Sequence, residues 1–247
     1  MALQTKAPTF SLHQALDSQP LQVSSDTPID GVISLMSQAS VHCHIPVRAA
    51  DEPPLSAAPL AVSTHQHTSC VLVVDSGQLT GILTEKDIVR LIATDKALAG
   101  LTAADLMTHP VVTVPDGEGL DIFSALNVMR HHHIHHLSVV NDQGEVIGLL
   151  TPKWLRSLME PADFMRFRLV HEVMSSQVVH ALPTAPVLQI VQQLIQHQVS
   201  CVVIVAAVEG KSALAPVGIV TERDIVQIQR LGLDLKRTQA QTVMSAP

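Results

Sequence analysis

Aromatic residues, cysteines and positive charge are all scarce in this sequence. The 247 residues include no Tyr, one Trp and four Phe. Single-stranded nucleic acid is bound by stacking its bases on aromatic side chains, and this chain has few of them. Lys and Arg number 15 against 22 Asp and Glu, which gives a formal net charge of −7. Because nucleic-acid affinity depends on cationic contacts with phosphates, we expect no nucleic-acid partner.

The three cysteines, Cys43, Cys70 and Cys201, lie far apart in the sequence. An odd number without close spacing argues against a disulfide framework or a CxxC metal site, and unpaired thiols are typical of a reducing cytoplasm. The N-terminus lacks the apolar core of a signal peptide. The most apolar run, residues 199–208, is shorter than the roughly 20 residues that a membrane helix needs. We therefore expect a cytoplasmic protein with no membrane partner.

What the sequence does contain is apolar residues, at 47% against 15% charged, and a repeated segment. Residues 81–89 (GILTEKDIV) and 218–226 (GIVTERDIV) are almost identical, and residues 148–155 (GLLTPKWL) are a weaker copy. Self-similarity at a nearly constant period indicates an architecture of repeated structural units. The copies lie roughly 70 residues apart, so each unit has room for a small group of strands and helices.

Each copy predicts a short buried strand that runs into a helix. Gly followed by apolar residues is typical of a strand end, and Thr84 is well suited to cap the helix that follows. Asp87, three residues on, gives a capping-box pattern. Capping alone would explain this Thr-x-x-Asp pattern. A helix N-terminus also attracts anions, and a nearby hydroxyl and carboxylate could hold a phosphate and a ribose, so both interpretations stay open.

The apolar runs and turn residues around the copies predict an α/β (α+β) fold of repeated β-α-β-β-α units. Ser76-Gly77, for example, predicts the turn between two antiparallel strands. Unit one carries a loop insertion at about 38–66, rich in Pro, Ala and Ser. Residues 242–247 (TVMSAP) repeat residues 105–110 (DLMTHP), so we expect the chain to be the front part of a longer protein or a truncated relative of one. We divide it into a tail (1–9), unit one (10–100), unit two (101–160), unit three (161–238) and the start of a fourth unit (239–247).

The repeated unit resembles the CBS domain. The resemblance rests on the Gly-h-h-Thr-x-x-Asp turn, where h is apolar, and on a motif that opens the later units: Met107-Thr108, Met174-Ser175 and Met244-Ser245. It covers nearly the whole chain. It implies that units pair into Bateman modules, with units one and two forming one module. It also implies regulatory binding of AMP, ADP, ATP (with or without Mg²⁺) or S-adenosylmethionine in the clefts, no obligatory cofactor, and a homodimer.

The resemblance also assigns roles to individual residues. Thr84 would face phosphate or ribose and Asp87 the ribose hydroxyls, and Thr221 and Asp224 occupy the same positions in unit three. In unit two Thr151 is kept, but Trp154 replaces the Asp, so the ribose acceptor is missing there. Adenine would be held by the first strand and by the start of the central strand: Gln22, Val23, Ser69, Cys70 and Val71 in unit one, and Ser200, Cys201 and Val202 in unit three.

Other functions have weaker support in the sequence. The histidine-rich run at 131–136 is either a transition-metal site or a polar helix end that enters a strand at 134–140. Alternation along a strand would put His133 and His135 on one face and Ile134 and His136 on the other. There is no HExxH, Gly-x-Ser-x-Gly or phosphate-binding Gly-rich loop, so we expect no enzyme activity. The alternatives are the input region of a signalling enzyme (a histidine kinase or cyclase) with a downstream signalling domain, a structural dimerising module, and a metal sensor.

Overall fold

The computed structural model describes residues 16–39, 70–94, 98–117, 121–152, 155, 169–207 and 214–246. The predicted tail at 1–9, Ser69 and Trp154 lie outside these residues. The loop insertion predicted at about 38–66 begins too early, because a helix continues through Ala39. The remainder of that insertion lies outside the described residues.

Within the described residues, three three-stranded sheets repeat one topology. In each sheet the first strand pairs parallel with the second, and the second pairs antiparallel with the third. In unit one Ser76 and Gly77 have φ values of 52° and 83°, the left-handed geometry of a two-residue hairpin, which confirms the predicted turn. The strands are β1 (Gln22–Val23), β2 (Cys70–Asp75) and β3 (Gln78–Thr84); β4 (Thr113–Pro115), β5 (Leu137–Val140) and β6 (Val146–Leu150); and β7 (His180–Ala181), β8 (Cys201–Ala207) and β9 (Leu214–Thr221).

Helices link the first two strands of each sheet and follow the third. The crossover helix is needed because parallel neighbouring strands cannot be joined by a tight turn. In unit two the helix after β6 is described only at its start, where the Leu155 backbone N–H donates to the Thr151 carbonyl oxygen at 3.1 Å. The other helices are α1 (Ile29–Ala39), α2 (Glu85–Ala93), α3 (Ala103–Leu106), α4 (Ile122–His131), α5 (Val170–Val173), α6 (Val187–His197), α7 (Glu222–Arg230) and α8 (Ala240–Val243).

Units one and two pack sheet against sheet. Cys70, Leu72 and Ile82 of unit one form one buried apolar cluster with Leu149 of unit two. These side chains alternate along their strands with residues that face the helices, so each sheet buries both of its faces. Burying the three aliphatic side chains of this cluster is a substantial stabilising term, since each contributes roughly 1.5–3 kcal/mol.

The start of each of these two units also docks on the last strand of the other. The backbone of Thr108 exchanges hydrogen bonds of 2.8 and 3.1 Å with Ile82 of unit one. The backbone of Asp17 exchanges two hydrogen bonds of 2.9 Å with Leu149 of unit two. The exchange is reciprocal, so neither unit is complete without the other.

Units one and three meet through their helices instead. A single core cluster joins apolar residues of α1 and α2 with those of α6 and α7, including Ile33, Ile88, Leu194 and Ile228. The guanidinium of Arg230 donates a 3.3 Å hydrogen bond to the Ser37 hydroxyl across this contact. Unit one is therefore the centre of the described structure, with unit two on its sheet and unit three on its helices.

Gly148 is required by the close approach of the chain start to unit two. A Cβ at this position would lie 2.6 Å from the Asp17 carbonyl oxygen and would also collide with the Leu16 side chain. We expect Gly148→Ala to lower the free energy of unfolding by about 1–3 kcal/mol, as overpacking does. Gly117→Ala is the control, because no atom of the described residues lies within 4 Å of its Cβ position. Equal urea midpoints for the two variants would contradict the docking of the chain start on unit two.

Within the described residues, the helices are all too short or too polar to cross a lipid bilayer.

Candidate functional site

The turn between β3 and α2 is closed by two hydrogen bonds to one carboxylate oxygen. The backbone N–H and the hydroxyl of Thr84 both donate to Asp87 Oδ2, at 2.9 and 2.7 Å. Thr84 itself is extended, with φ −119° and ψ 164°, the geometry of an N-cap residue. The predicted cap is therefore present. The second oxygen, Oδ1, lies 3.4 Å from a guanidinium nitrogen of Arg90, whose side chain is 57% exposed.

Unit three repeats this turn between β9 and α7. The backbone N–H and the hydroxyl of Thr221 donate to Asp224 Oδ2 at 2.7 and 2.8 Å. The two turns differ in environment, since Asp224 is only 2% exposed. Burial raises the pKa of the Asp224 carboxyl, and the hydrogen bonds from Thr221 oppose that rise. Unit three thus holds its carboxylate in drier surroundings than unit one does.

Each turn lies next to the start of the central strand of its sheet. Cys70 is paired with Thr84 in the antiparallel ladder, and Cys201 with Thr221. In unit three the N–H of Glu222, the first residue of α7, donates to the Ser200 carbonyl oxygen at 3.1 Å. The sheet therefore brings the capping residues and the predicted strand-start residues together. Burial raises the pKa of the Cys70 thiol above its ordinary range, so this thiol is chemically inert.

The remaining predicted contacts in the two units are not equally accessible. Val71 and Val202 are fully buried on the helix side of their sheets, so only their backbone atoms could reach a ligand. Gln22 is exposed and pairs with Leu72 in the parallel ladder, beside Val23. This places Gln22 and Val23 on the strand next to the one that Cys70 begins.

Sequence reasoning missed that the two turns are joined to each other. Nε of Arg223, in the first turn of α7, donates to Oε1 of Glu85, the first residue of α2, at 3.2 Å. The Glu85 side chain is 12% exposed and that of Arg223 is 36% exposed. Burial raises the pKa of Glu85, and Arg223 counteracts this rise. One signal in the sequence could have indicated this ion pair. The two repeats, Thr-Glu-Lys-Asp and Thr-Glu-Arg-Asp, each carry an acidic and a basic residue side by side, so two copies that meet can pair opposite charges.

A family model described as the CBS domain matches residues 14–94, 103–153 and 170–230, which together are well over half of the chain. This chain belongs to the CBS domain family. The three matched segments correspond to the three repeated units, and two of them contain the Thr-x-x-Asp turns described above. The resemblance seen in the repeats is therefore confirmed.

Several curated proteins are similar to part of this chain. The chain is 41% identical over 86 residues to inosine-5'-monophosphate dehydrogenase of Nitrosopumilus maritimus. The aligned stretch covers 34% of this chain and 16% of that protein. It is 31% identical over 102 residues to uncharacterised protein MK0525 of Methanopyrus kandleri, covering 40% of this chain and 51% of that protein. The chain thus spans about half or less of the length of these curated relatives.

A solved structure shares the fold over nearly the whole chain. Protein MJ1225 from Methanocaldococcus jannaschii, described as a candidate archaeal homologue of g-AMPK, matches with a TM-score of 0.69. The match covers 96% of this chain and 83% of that one at 16% identity. The fold described here is therefore one that an experimental structure also has.

Unit two departs from the other CBS units at the equivalent turn. Thr151 is followed by Pro152 at the first helical position, where a missing N–H is tolerated. The Thr151 carbonyl accepts the first helical hydrogen bond from Leu155. Trp154, which stands where units one and three have Asp, lies outside the described residues. The carboxylate that closes the other two turns is replaced in unit two.

The histidine-rich run is a helix end and a turn, and the predicted strand begins later than expected. Helix α4 ends at His131, His133 has a positive φ of 53°, and β5 starts only at Leu137. The expected alternation of these histidines on two strand faces is therefore wrong. In the described part of the chain, no three His, Cys, Asp or Glu side chains come close enough together to hold a metal ion.

One histidine of this run predicts a pH dependence of stability. Burial, with a smaller effect of His135, lowers the pKa of His136 to about 4 from an ordinary value of 6.5. The unfolded chain therefore binds this proton more tightly, so stability is complete above pH 6.5 and falls as the pH drops towards 4. We expect about 2 kcal/mol of this loss to disappear in His136→Gln, measured by urea unfolding between pH 7 and 4. His132→Gln, which alters an exposed histidine of the same run, should keep the wild-type slope.

Proposed function

We propose that this chain is a regulatory module that binds an adenosine-containing ligand (AMP, ADP, ATP or S-adenosylmethionine) at the cleft between units one and two. The observation that carries the proposal is the Thr84–Asp87 turn. It places a hydroxyl, a carboxylate and the N-terminus of a nine-residue helix beside the start of the central strand. A helix N-terminus favours an anion, and an ionised carboxylate is a strong acceptor for ribose hydroxyls.

The surroundings of the turn support such a ligand. Asp87 Oδ1 has one long contact, to the exposed Arg90, which can give way to a ribose hydroxyl. The exposed side chain of Gln22 carries both a donor and an acceptor, which the edge of an adenine ring requires. Mg²⁺ would enter only with a polyphosphate, because hard cations bind phosphate oxygens. Unit three offers a second half-site at Thr221 and Asp224, whereas unit two lacks the carboxylate.

In this proposal the ligand acts by population shift. A ligand can change the equilibrium between two arrangements only through its different affinity for each. The turn of unit one is bonded to unit three through Glu85 and Arg223, so binding at the turn alters a contact between units. The output would reach a downstream signalling domain or a partner protein. The protein itself would be a non-catalytic homodimer in the cytoplasm.

A structural module is the second candidate, and one observation favours it. Both donors of Thr84 and both donors of Thr221 are already used within their own capping turns. Such turns stabilise a helix start without any ligand, by about 1 kcal/mol each.

Isothermal titration calorimetry separates the two candidates. The wild-type chain is titrated with AMP, ADP, ATP with and without Mg²⁺, and S-adenosylmethionine, with GTP as the control for purine specificity. Regulatory binding predicts saturable heat with at least one adenosine ligand and none with GTP. A folded chain that gives no saturable heat with any ligand would leave the structural module as the function.

A further inference from the structure

Besides Lys86 and Arg90 of α2 itself, a cation of unit three reaches the turn of unit one. Arg223 reaches across the contact between α2 and α7 and binds Glu85, which directly follows Thr84. The Glu85 carboxylate is largely buried and its partner partly exposed. Arg223 is thus held at the unit-one turn by an acidic side chain of that turn.

The charge balance around this contact explains what the pair could do. Glu222 of unit three feels the fields of Lys86, Glu85, Arg90 and Asp87, so the two helix starts share one electrostatic environment. Burial raises the pKa of Glu222, and the nearby acids add to this rise while Lys86 and Arg90 oppose it. An added phosphate would be repelled by these acids, and Arg223 is a cation from outside α2 that could offset this repulsion together with Lys86 and Arg90.

We propose that Arg223 makes the unit-one turn selective for adenosine ligands that carry a phosphate, and that Glu85 competes with that phosphate for the guanidinium. This inference rests on the proposed function. Arginine suits the role because its guanidinium can bind a carboxylate and a phosphate with the same fork of donors. The Glu85 carboxylate occupies the guanidinium in the described structure, and a ligand phosphate would take its place.

Two substitutions with opposite expected effects test the proposal. Arg223→Gln should weaken AMP binding about tenfold, because a charge-assisted contact is lost, and leave adenosine binding within about twofold. Glu85→Gln should strengthen AMP binding severalfold, since the competing charge is removed, and again leave adenosine unchanged. In the double variant the gain from Glu85→Gln should disappear, because it acts through Arg223.

Arg230→Gln is the matched control. Arg230 lies on the same helix and also crosses to unit one, where it bonds Ser37, but it is at the far end of α7 from the turn. It should change neither affinity, and Arg223→Lys should keep part of the preference for AMP. The readout is the ratio of AMP to adenosine affinity by calorimetry, which a general loss of stability would not shift.

The outcomes separate this inference from the proposed function. Suppose that the wild type binds AMP, and that Arg223→Gln either lowers the affinities for AMP and adenosine equally or changes neither affinity. Arg223 is then not a specificity residue, and the proposed function stands. If the wild type binds neither AMP nor adenosine nor any other adenosine ligand, both fail. Stronger AMP binding by Glu85→Gln that persists in the double variant would also overturn the role of Arg223.

Discussion

Asp87→Ala is expected to remove half or more of the stabilisation that an adenosine ligand gives to the wild-type chain. A ligand at a hundred-fold excess over its dissociation constant stabilises a folded protein by about 2.7 kcal/mol. Removing the carboxylate removes the acceptor for the ribose hydroxyls, and hydrogen bonds to charged groups contribute about 1.5–3 kcal/mol. Thermal unfolding with and without each ligand measures the difference. Asp224→Ala should leave most of the shift in place, because it alters the half-site of unit three.

The control for Asp87→Ala must remove an equivalent cap from a different helix, so that the proposed site is left intact. Asp105 meets this requirement, since the backbone N–H and hydroxyl of Thr102 donate to it at 2.8 and 3.0 Å. Both variants should lose about 1 kcal/mol of stability from the missing cap. Only Asp87→Ala should also lose half or more of the ligand-induced shift. Equal ligand shifts in the two variants would make Thr84 and Asp87 no more than a helix cap.

Leu149→Ala is expected to cost about 3 kcal/mol, within the range for large-to-small substitutions in a core. Leu149 belongs to unit two, but its side chain is fully buried in a cluster with residues of unit one. The cavity would therefore open at the contact between the two sheets. In the proposed function this contact forms the ligand cleft, so the variant should also bind the ligand more weakly. Urea unfolding gives the stability and calorimetry the affinity.

The repeat itself supplies a matched control for Leu149. Ile82, Leu149 and Ile219 each follow the glycine of the repeated segment, in units one, two and three. Ile82 is 8% exposed, whereas Ile219 is 36% exposed. We expect Ile82→Ala to cost about as much as Leu149→Ala, and Ile219→Ala about 1 kcal/mol. If all three substitutions had a large cost, the sheet of unit three would also be buried against another sheet. That result would contradict an account in which only units one and two pack sheet against sheet.

The local parts of this structure could be predicted because they depend on a few neighbouring residues. The hairpin at Ser76-Gly77 needs only two residues that tolerate positive φ, and the caps at Thr84 and Thr221 need a carboxylate three residues later. The repetition of these patterns was enough to indicate the number of units and the family. The strand after the histidine-rich run was misplaced because His133 takes a left-handed conformation, which histidine adopts only uncommonly.

The contact between units one and three could not be predicted in the same way. Glu85 and Arg223 are 138 residues apart. The repeat keeps their charges, since Glu222 matches Glu85 and Lys86 matches Arg223, but it does not show that the two copies meet. Apolar periodicity shows which face of α2 or α7 is buried, but both a sheet and another helix can cover such a face. Only the assembled fold shows that Asp224 is buried while Asp87 keeps an exposed partner.

Photoaffinity labelling tests the central claim most directly. The wild-type chain is irradiated with an azidoadenosine nucleotide, with and without excess unlabelled nucleotide, and the modified peptides are mapped by mass spectrometry. The account predicts a label on the peptides of unit one that contain Gln22, Cys70 or Asp87, suppressed by the unlabelled nucleotide. A suppressible label confined to the turn at Thr151, or no suppressible label on a folded chain, would contradict it.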